Sequence, residues 1–138
     1  GLWYHTLKVY NFLKRMGLAK ENDESVAIVA LFHDLCKVNF YKLDYKNQKD
    51  EKGVWQKVPF YTVDDKLAMG HGEASVYILQ TFLKLTKDEA WAIRWHMGGF
   101  DESVRGGASG ISKAYEQSPL AVELHIADMR ATYLPIDL

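Results

Sequence analysis

The sequence predicts an all-α fold, a bundle of about five helices with one β-hairpin inserted at about residues 40–63. Three observations support this prediction. An apolar run without breakers over residues 26–32 is typical of a helix buried on most sides. The other apolar stretches begin or end at Gly, Ser, Thr or Pro, which are typical of helix boundaries. Between residues 40 and 63 the pattern alternates instead, which is typical of strands.

Apolar spacing defines the first two helices. Residues 2–16 place apolar side chains at near-helical intervals, and Gly17 follows as a C-terminal cap. Polar and acidic residues over 21–24 suit the start of a helix. The central helix is therefore expected over residues 24–37.

Alternation defines the hairpin. Residues 40–47 and 54–63 alternate, residues 48–53 supply the turn, and Pro59 is tolerated because both strands are edges. A lone hairpin is marginal in water, so one face is expected to pack on the helices. Packing is also the expected role of its aromatic residues, with stacking on nucleic-acid bases as the alternative: Tyr41, Tyr45, Trp55 and Tyr61.

Three more helices follow the hairpin. Residues 64–72 are expected to form an irregular approach in which Gly70 and Gly72 flank His71. A helix is predicted over residues 73–85, and a capping box beginning at Thr86 starts the next, over 87–97. Residues 100–112 are rich in Gly and Ser, which predicts a mobile loop, either a substrate lid or a plain connector. Ser118 and the following proline start the last helix, which is expected to run to about residue 133.

Composition limits the class of protein. A chain of 138 residues with 48% hydrophobic and 25% charged residues fits a single globular domain over 1–138. A net charge of -1 gives no overall attraction to nucleic acid, and a lone Cys36 excludes an internal disulfide. Without a signal peptide or an apolar run of membrane length, we expect a cytoplasmic protein with no membrane partner. The sequence begins at Gly1 rather than Met, so whether a segment precedes it is undecided.

Unlike charged groups converge at the end of the central helix. His33, Asp34 and Lys37 are three or four residues apart and are expected to share one face. Desolvating such groups is costly unless they are paired or bound to a metal. A purely structural role is an equal alternative to such a site. In that case the helix dipole favours the histidine, and the aspartate and lysine form an ordinary surface pair.

All five histidines lie near a predicted helix end or within one turn of an aspartate. Any one of them alone is more often structural, but imidazole and carboxylate groups together suit Zn, Mn, Fe, Co or Ni better than Ca. Spacing provides no short metal motif, so by itself it does not establish a site. The five are His5, His33, His71, His96 and His125.

Five motifs together resemble the HD-domain superfamily of metal-dependent phosphohydrolases. They are GLWYHTLKVY, LFHDLCK, GHGEAS, IRWHMG and LHIADMRA, and they span almost the whole chain. The chain departs from the family at Cys36, where a glycine is usual. The resemblance implies the HD helical bundle and a centre holding two divalent transition-metal ions.

The same resemblance implies a role for each site residue. One metal would be held by His5, His33, Asp34 and Asp128, and a second by His71 and His96, with Asp34 bridging the two. Asp34 and Lys37 would be catalytic, and Lys37 would bind the substrate phosphate. His125 lies outside this set and is expected to hydrogen bond Asp128 or to pack.

The expected activity is hydrolysis of a phosphodiester or phosphomonoester in a nucleotide or short nucleic acid. A phosphorylated small molecule or nucleotide is the expected partner, with single-stranded RNA as the alternative. Lysines of the hairpin can guide a phosphate backbone, although solvated edge lysines are more common. A mixed-valent di-iron oxygenase of HD type and a non-catalytic nucleotide-binding module are the rival functions. The native metal, the substrate and the oligomeric state stay open.

Overall fold

Helices dominate the fold and one hairpin interrupts them. The computed structural model describes residues 1–17, 19–64 and 66–135. Within these ranges the prediction of a helical bundle with an inserted hairpin is confirmed, with seven α-helices where about five were expected. The elements are α1 (Leu2–Arg15), α2 (Ala19–Phe32), β1 (Tyr41–Lys49), β2 (Trp55–Val63), α3 (His71–Leu79), α4 (Lys87–Arg94), α5 (Glu102–Arg105), α6 (Gly110–Gln117) and α7 (Pro119–Tyr133). Short 3-10 helices lie at Leu35–Lys37 and Gly98–Phe100.

Four helices surround a common core. α1, α2, α4 and α7 pack against one another, and α3 packs on α4 and on the 3-10 helix at Leu35–Lys37. Val9, Leu13, Ile93 and Leu124 are fully buried there. Burying one such side chain contributes about 1.5–3 kcal/mol, so this core fixes the relative positions of the helix ends. None of the helices in the described ranges combines the length and apolarity that crossing a membrane requires.

Caps confirm several predicted boundaries. Thr86 and Glu89 form both hydrogen bonds of a capping box at the start of α4. The Ser118 side chain accepts from the main-chain N–H of Ala121 and caps α7. Gly17 follows α1 with a φ of +86°, a left-handed conformation that glycine adopts without strain.

The predicted central helix begins close to its expected start at residue 24 but ends earlier than residue 37. α2 runs over Ala19–Phe32 with a break at Asn22, whose φ is -154° and ψ is 64°. His33 and Asp34 form a turn beyond it, before the 3-10 helix. The side chain of Ser75 accepts from the main-chain N–H of Cys36 at 3.1 Å, and this tertiary bond draws the chain toward α3.

The helices α3 and α4 both end earlier than predicted. α3 stops at Leu79, where a turn follows and Thr81 donates its hydroxyl to the carbonyl of Ile78 at 2.7 Å. α4 stops at Arg94, and Gly98 with a φ of +56° leads the chain into a 3-10 turn.

The predicted loop over 100–112 is also wrong, because this stretch contains α5 and the start of α6. The Asp101 side chain caps α5 by accepting from the main-chain N–H of Ser103. Arg94 in turn donates to Asp101 at 2.8 Å and to the Ser103 hydroxyl at 3.2 Å. Asp101, a polar residue of the stretch predicted as a loop, therefore serves as a helix cap.

The hairpin pairs as predicted but packs differently. β1 and β2 are antiparallel, with Tyr41 opposite Val63 and Lys49 opposite Trp55. The Asp50 side chain organises the turn by accepting from the main-chain N–H groups of Lys52 and Val54, both at 2.9 Å. Every residue of β1 is exposed, so the prediction that one face packs on the helices is wrong. Packing is likewise the wrong role for the four aromatic residues, which all point to solvent: Tyr41, Tyr45, Trp55 and Tyr61.

Candidate metal centre

Side chains distant in sequence meet where the ends of α1, α2 and α4 converge beside α7. α1 supplies His5 from its first turns, the turn after α2 supplies His33 and Asp34, the turn after α4 supplies His96, and α7 supplies Asp128. Because the four helices share one core, the ends of three of them lie against the side of α7. The structure thus brings together five of the six residues expected to bind metal.

These side chains form two groups of three that share His33. Nε2 of His5 lies 2.8 Å from Oδ1 of Asp128, and Nε2 of His33 lies 3.5 Å from the same oxygen. Nε2 of His33 is also 3.4 Å from Oδ2 of Asp34, whose Oδ1 lies 3.2 Å from Nε2 of His96. In each group the potential ligand atoms are within 4.8 Å of one another, which is close enough to hold a metal ion.

The centre has a buried floor and an open edge. His33, His96 and Asp34 are 0%, 1% and 4% exposed. The side chains of His5 and Asp128 are 24% and 20% exposed, so solvent reaches the centre from their side.

Main-chain carbonyls orient the two buried imidazoles. Nδ1 of His33 donates to the carbonyl of Ala30 at 2.9 Å, and Nδ1 of His96 donates to the carbonyl of Ile93 at 2.7 Å. Because a carbonyl only accepts, each Nδ1 carries a proton. In the neutral ring the lone pair is then on Nε2, which faces carboxylate oxygens. Lone pair and carboxylate repel each other unless a proton or a metal ion lies between them.

The need for a proton or a metal ion between Nε2 and the carboxylates is clearest at His33. Its Nε2 is buried and has no hydrogen-bond partner among the described residues, although two carboxylates lie within 3.5 Å. An unsatisfied buried polar atom costs about 1–3 kcal/mol. A divalent ion coordinated by this nitrogen and by the facing carboxylates would remove that cost, so the residues present fit a metal centre.

Electrostatics indicate the same requirement for a cation. Burial alone lowers the pKa of His33, but the carboxylates of Asp128 and Asp34 outweigh burial and raise that pKa to about 10. Burial opposes ionisation of Asp34 and Asp128 as well, yet the facing histidines hold the pKa of both carboxyls well below the ordinary range. The centre therefore attracts positive charge.

Lys37 lies beside the centre. Its Nζ lies 3.2 Å from Oδ2 of Asp34, so the predicted contact between these two residues is present. Burial tends to lower the pKa of Lys37, whereas the Asp34 carboxylate raises it, and the net direction is upward. Lys37 thus keeps its positive charge.

His71 is the expected ligand that the structure leaves apart. It lies at the first position of α3 and lines the same cavity, but in the described ranges it belongs to neither group of three. Its ring packs edge-on against Phe40, with 5.4 Å between ring centroids. Its role as a ligand of a second metal stays a prediction.

The sequence did not predict the hydrogen bond that supports the main chain at His96. His125 is predicted to hydrogen bond Asp128 or to pack, and in the structure its Nδ1 donates to the main-chain carbonyl of His96 at 2.8 Å while its ring lies beside Tyr115. Gly98 makes room for that ring, because a Cβ there would lie 2.4 Å from the imidazole of His125. The signal in the sequence was the Gly98–Gly99 pair, which reads equally well as a helix end.

A cavity of about 520 Å³ opens above the centre. Cavities of roughly 300–1,000 Å³ hold ligands of nucleotide size. Its wall combines the metal-binding candidates with the cation of Lys37, the ring of Tyr41 and the apolar side chains of Leu2 and Met97. The cavity can therefore hold an anionic group near the centre and an organic group against its wall.

Comparison with known proteins agrees with this geometry. The family profile of the HD domain matches residues 2–132, nearly the whole chain. Neither the curated proteins nor the solved structures compared with the chain gave a match. The matched span contains the helices that surround the core and every residue of the two metal-binding groups. The chain belongs to the HD-domain family.

Proposed function

We propose that this protein is a metal-dependent phosphohydrolase acting on a phosphoester of a nucleotide or a short nucleic acid. Membership of the HD-domain family supports metal-dependent hydrolysis in general. The observation that carries the proposal is the pair of His/Asp groups on the floor of an open cavity, with the Lys37 cation beside them.

The geometry favours a centre with two ions over a centre with one. Nε2 of His33 has a single lone pair and can coordinate only one ion, although it belongs to both groups. If His33 serves the ion of His5 and Asp128, then Asp34 and His96 remain for a second ion. His71 lines the same cavity and is the proposed additional ligand, and Asp34 has two oxygens with which to bridge.

Each residue then has a distinct task. Divalent ions bound at such a centre polarise a phosphoryl oxygen and lower the pKa of water to about 7. Asp34 orients the Lys37 ammonium group through their 3.2 Å contact. Lys37 provides a point charge for the negative charge that develops on the phosphoryl oxygens. The carbonyls of Ala30 and Ile93 hold the imidazoles of His33 and His96 in the orientation that ligation requires.

Elemental analysis followed by a substrate panel tests this proposal. Protein purified without chelator or affinity metal should contain about two divalent ions per chain and should hydrolyse phosphodiesters or phosphomonoesters in Mn. Asp34→Asn should lose both metal and turnover, whereas Lys37→Gln should retain metal and lose about 100-fold in turnover. The exposed Asp88→Asn variant is the matched control and should behave as wild type.

Two results would overturn the proposal. Full turnover by purified Asp34→Asn would separate the activity from this centre. Iron content with oxygen consumption and no phosphoester hydrolysis would indicate an oxygenase instead.

A further inference from the structure

One face of the hairpin carries four of the five aromatic side chains of its two strands. Side chains alternate along a strand, and the register places odd-numbered residues of β1 opposite odd-numbered residues of β2. We call this side the aromatic face. It consists of Tyr41, Leu43, Tyr45, Asn47, Lys49, Trp55, Lys57, Pro59, Tyr61 and Val63.

The aromatic face is open to solvent. Tyr45, Trp55 and Tyr61 are 58%, 65% and 76% exposed, and Tyr41 is 55% exposed. On the opposite face Val58, Phe60 and Thr62 are partly shielded. A contiguous exposed patch of this kind on a folded protein usually marks a binding surface.

The hairpin is well ordered locally although the helices barely support it. Asp50 closes the turn, and the ladder continues past β2 through a 2.7 Å bond from the Asp64 N–H to the Phe40 carbonyl. The close contacts of both strands are mainly with each other. Because a two-stranded sheet alone is marginal in water, the open face is expected to be covered when the protein works.

The charge of the aromatic face distinguishes between the molecules that could cover it: another protein, a second copy of this chain or a polyanion. The aromatic face carries Lys49 and Lys57 and no carboxylate. The hairpin over residues 40–63 has five lysines against three acidic residues, whereas the whole chain has a net charge of -1. Nζ of Lys49 lies 5.1 Å from the ring centroid of Trp55, so cation and ring form one combined surface. Protein interfaces are depleted of lysine at their centre, and a second copy would bring like charges together, whereas a polyanion with flat apolar groups matches both features.

The face also leads to the metal centre. Tyr41, at the base of β1, lies on the aromatic face and lines the cavity together with Lys37 and Asp128. A chain lying along the face therefore has its next phosphate within the reach of that cavity.

We propose that the aromatic face binds a single strand of nucleic acid and directs it to the metal centre. Bases stack on Tyr45, Trp55 and Tyr61, and Lys49 and Lys57 contact the phosphates. Stacking and phosphate contacts do not require a 2'-hydroxyl, so RNA and DNA strands are both recognised. Binding stands on the hairpin alone, whereas delivery to the centre rests on the proposed phosphohydrolase function.

Fluorescence anisotropy with the full chain as purified tests the binding. The probes are labelled oligo(U) and oligo(dT), each about 12 nucleotides long, and a duplex of equal length, with probe integrity checked on a gel. Both single strands should bind more tightly than the duplex, whose bases are already stacked. Tyr45→Ser combined with Tyr61→Ser should weaken single-strand binding at least about 5-fold. The matched control is Tyr77→Ser on α3, because Tyr77 is 57% exposed and lies off the face.

Salt dependence tests the phosphate contacts separately. Loss of one contact lowers the slope of log affinity against log salt by about 0.7 for a single strand. Lys57→Gln should show this change, whereas Lys84→Gln, an exposed lysine outside the hairpin, should not.

The outcomes separate this inference from the proposed function. Wild-type protein that hydrolyses a small chromogenic diester in Mn but binds no oligonucleotide would refute the docking surface alone. Oligonucleotide binding that depends on the face, without any hydrolysis, would refute the phosphohydrolase alone. Equal affinity of the Tyr45/Tyr61 double variant and Tyr77→Ser would overturn the inference. So would a wild-type dimer that binds no strand and dissociates in the double variant, because the face would then join two copies.

Discussion

Removal of metal should make the stability of this protein fall as the pH rises above neutrality. His33 is fully buried, and the Asp128 and Asp34 carboxylates raise its pKa from the ordinary 6.5 to about 10. A group whose folded pKa lies above its unfolded value stabilises the folded state fully below the unfolded pKa. That contribution is then lost as the pH rises toward the folded pKa. The proton on His33 therefore acts as the cation of the metal-free centre.

The size of the effect follows from the shift. Each pH unit between 6.5 and the raised pKa removes about 1.4 kcal/mol, so about 3 kcal/mol is lost between pH 6.5 and about pH 9. For a domain of this size that loss lowers the thermal midpoint by roughly 10 °C. The carboxyl of Asp34 behaves in the opposite way. Its pKa is lowered from 3.8, so its contribution is present above that pH and is lost in acid.

Differential scanning calorimetry of chelator-treated and metal-loaded protein measures both curves. The metal-free midpoint should be highest between about pH 4 and pH 6.5 and should then fall, whereas the loaded protein should show little fall. His33→Gln should melt lower at neutral pH and should lose the fall above pH 6.5. A metal-free midpoint that stays level or rises from pH 6.5 to about pH 9 would refute the assignment of a proton to His33.

Two further predictions concern the support of the centre and of the core. Gly98→Ala should reduce metal affinity and lower stability by about 1–3 kcal/mol, because the new Cβ would displace the His125 ring. Metal titration and urea unfolding measure both effects, and Gly107→Ala is the matched control, since Gly107 also has a positive φ but has open space around it. Glu89→Ala should cost about 2–3 kcal/mol in urea unfolding, because the buried Ser25 hydroxyl donates to Glu89 at 2.7 Å. The metal content of Glu89→Ala should equal that of wild type, and loss of metal would show that the centre depends on this distant bond.

Local signals in the sequence were sufficient for much of the fold. The capping box at Thr86 and the Ser118–Pro119 start of α7 are formed as predicted, because a cap involves residues only two or three apart. The candidate site came from five motifs rather than from any one spacing. Five of the six residues predicted as metal ligands lie together, because each of their motifs lies on a helix or at a helix end whose position the core fixes.

Tertiary bonds decided two of the wrong predictions, the end of the central helix and the loop over residues 100–112. α2 ends early and the chain turns toward α3, where Ser75 binds the N–H of Cys36, 39 residues away in sequence. Asp101 caps α5 while Arg94 holds it, although its own neighbourhood is rich in Gly and Ser. Alternation in the hairpin established that its two faces differ, but alternation carries no information on whether the rest of the protein covers either face.

The early ends of α2 and α4 bear directly on the chemistry of the centre. The last carbonyls of a helix have no main-chain partner within it, and Ala30 and Ile93 lie in the last turns of these two helices. The histidine three residues later occupies each carbonyl with its Nδ1–H. One hydrogen bond thus caps the helix and directs Nε2 toward the carboxylates of the centre. In a helix continued to residue 37, the main-chain N–H of Asp34 would occupy the Ala30 carbonyl, and His33 would lose the acceptor that fixes its tautomer. The helix ends that the sequence did not predict therefore orient these two imidazoles as candidate metal ligands.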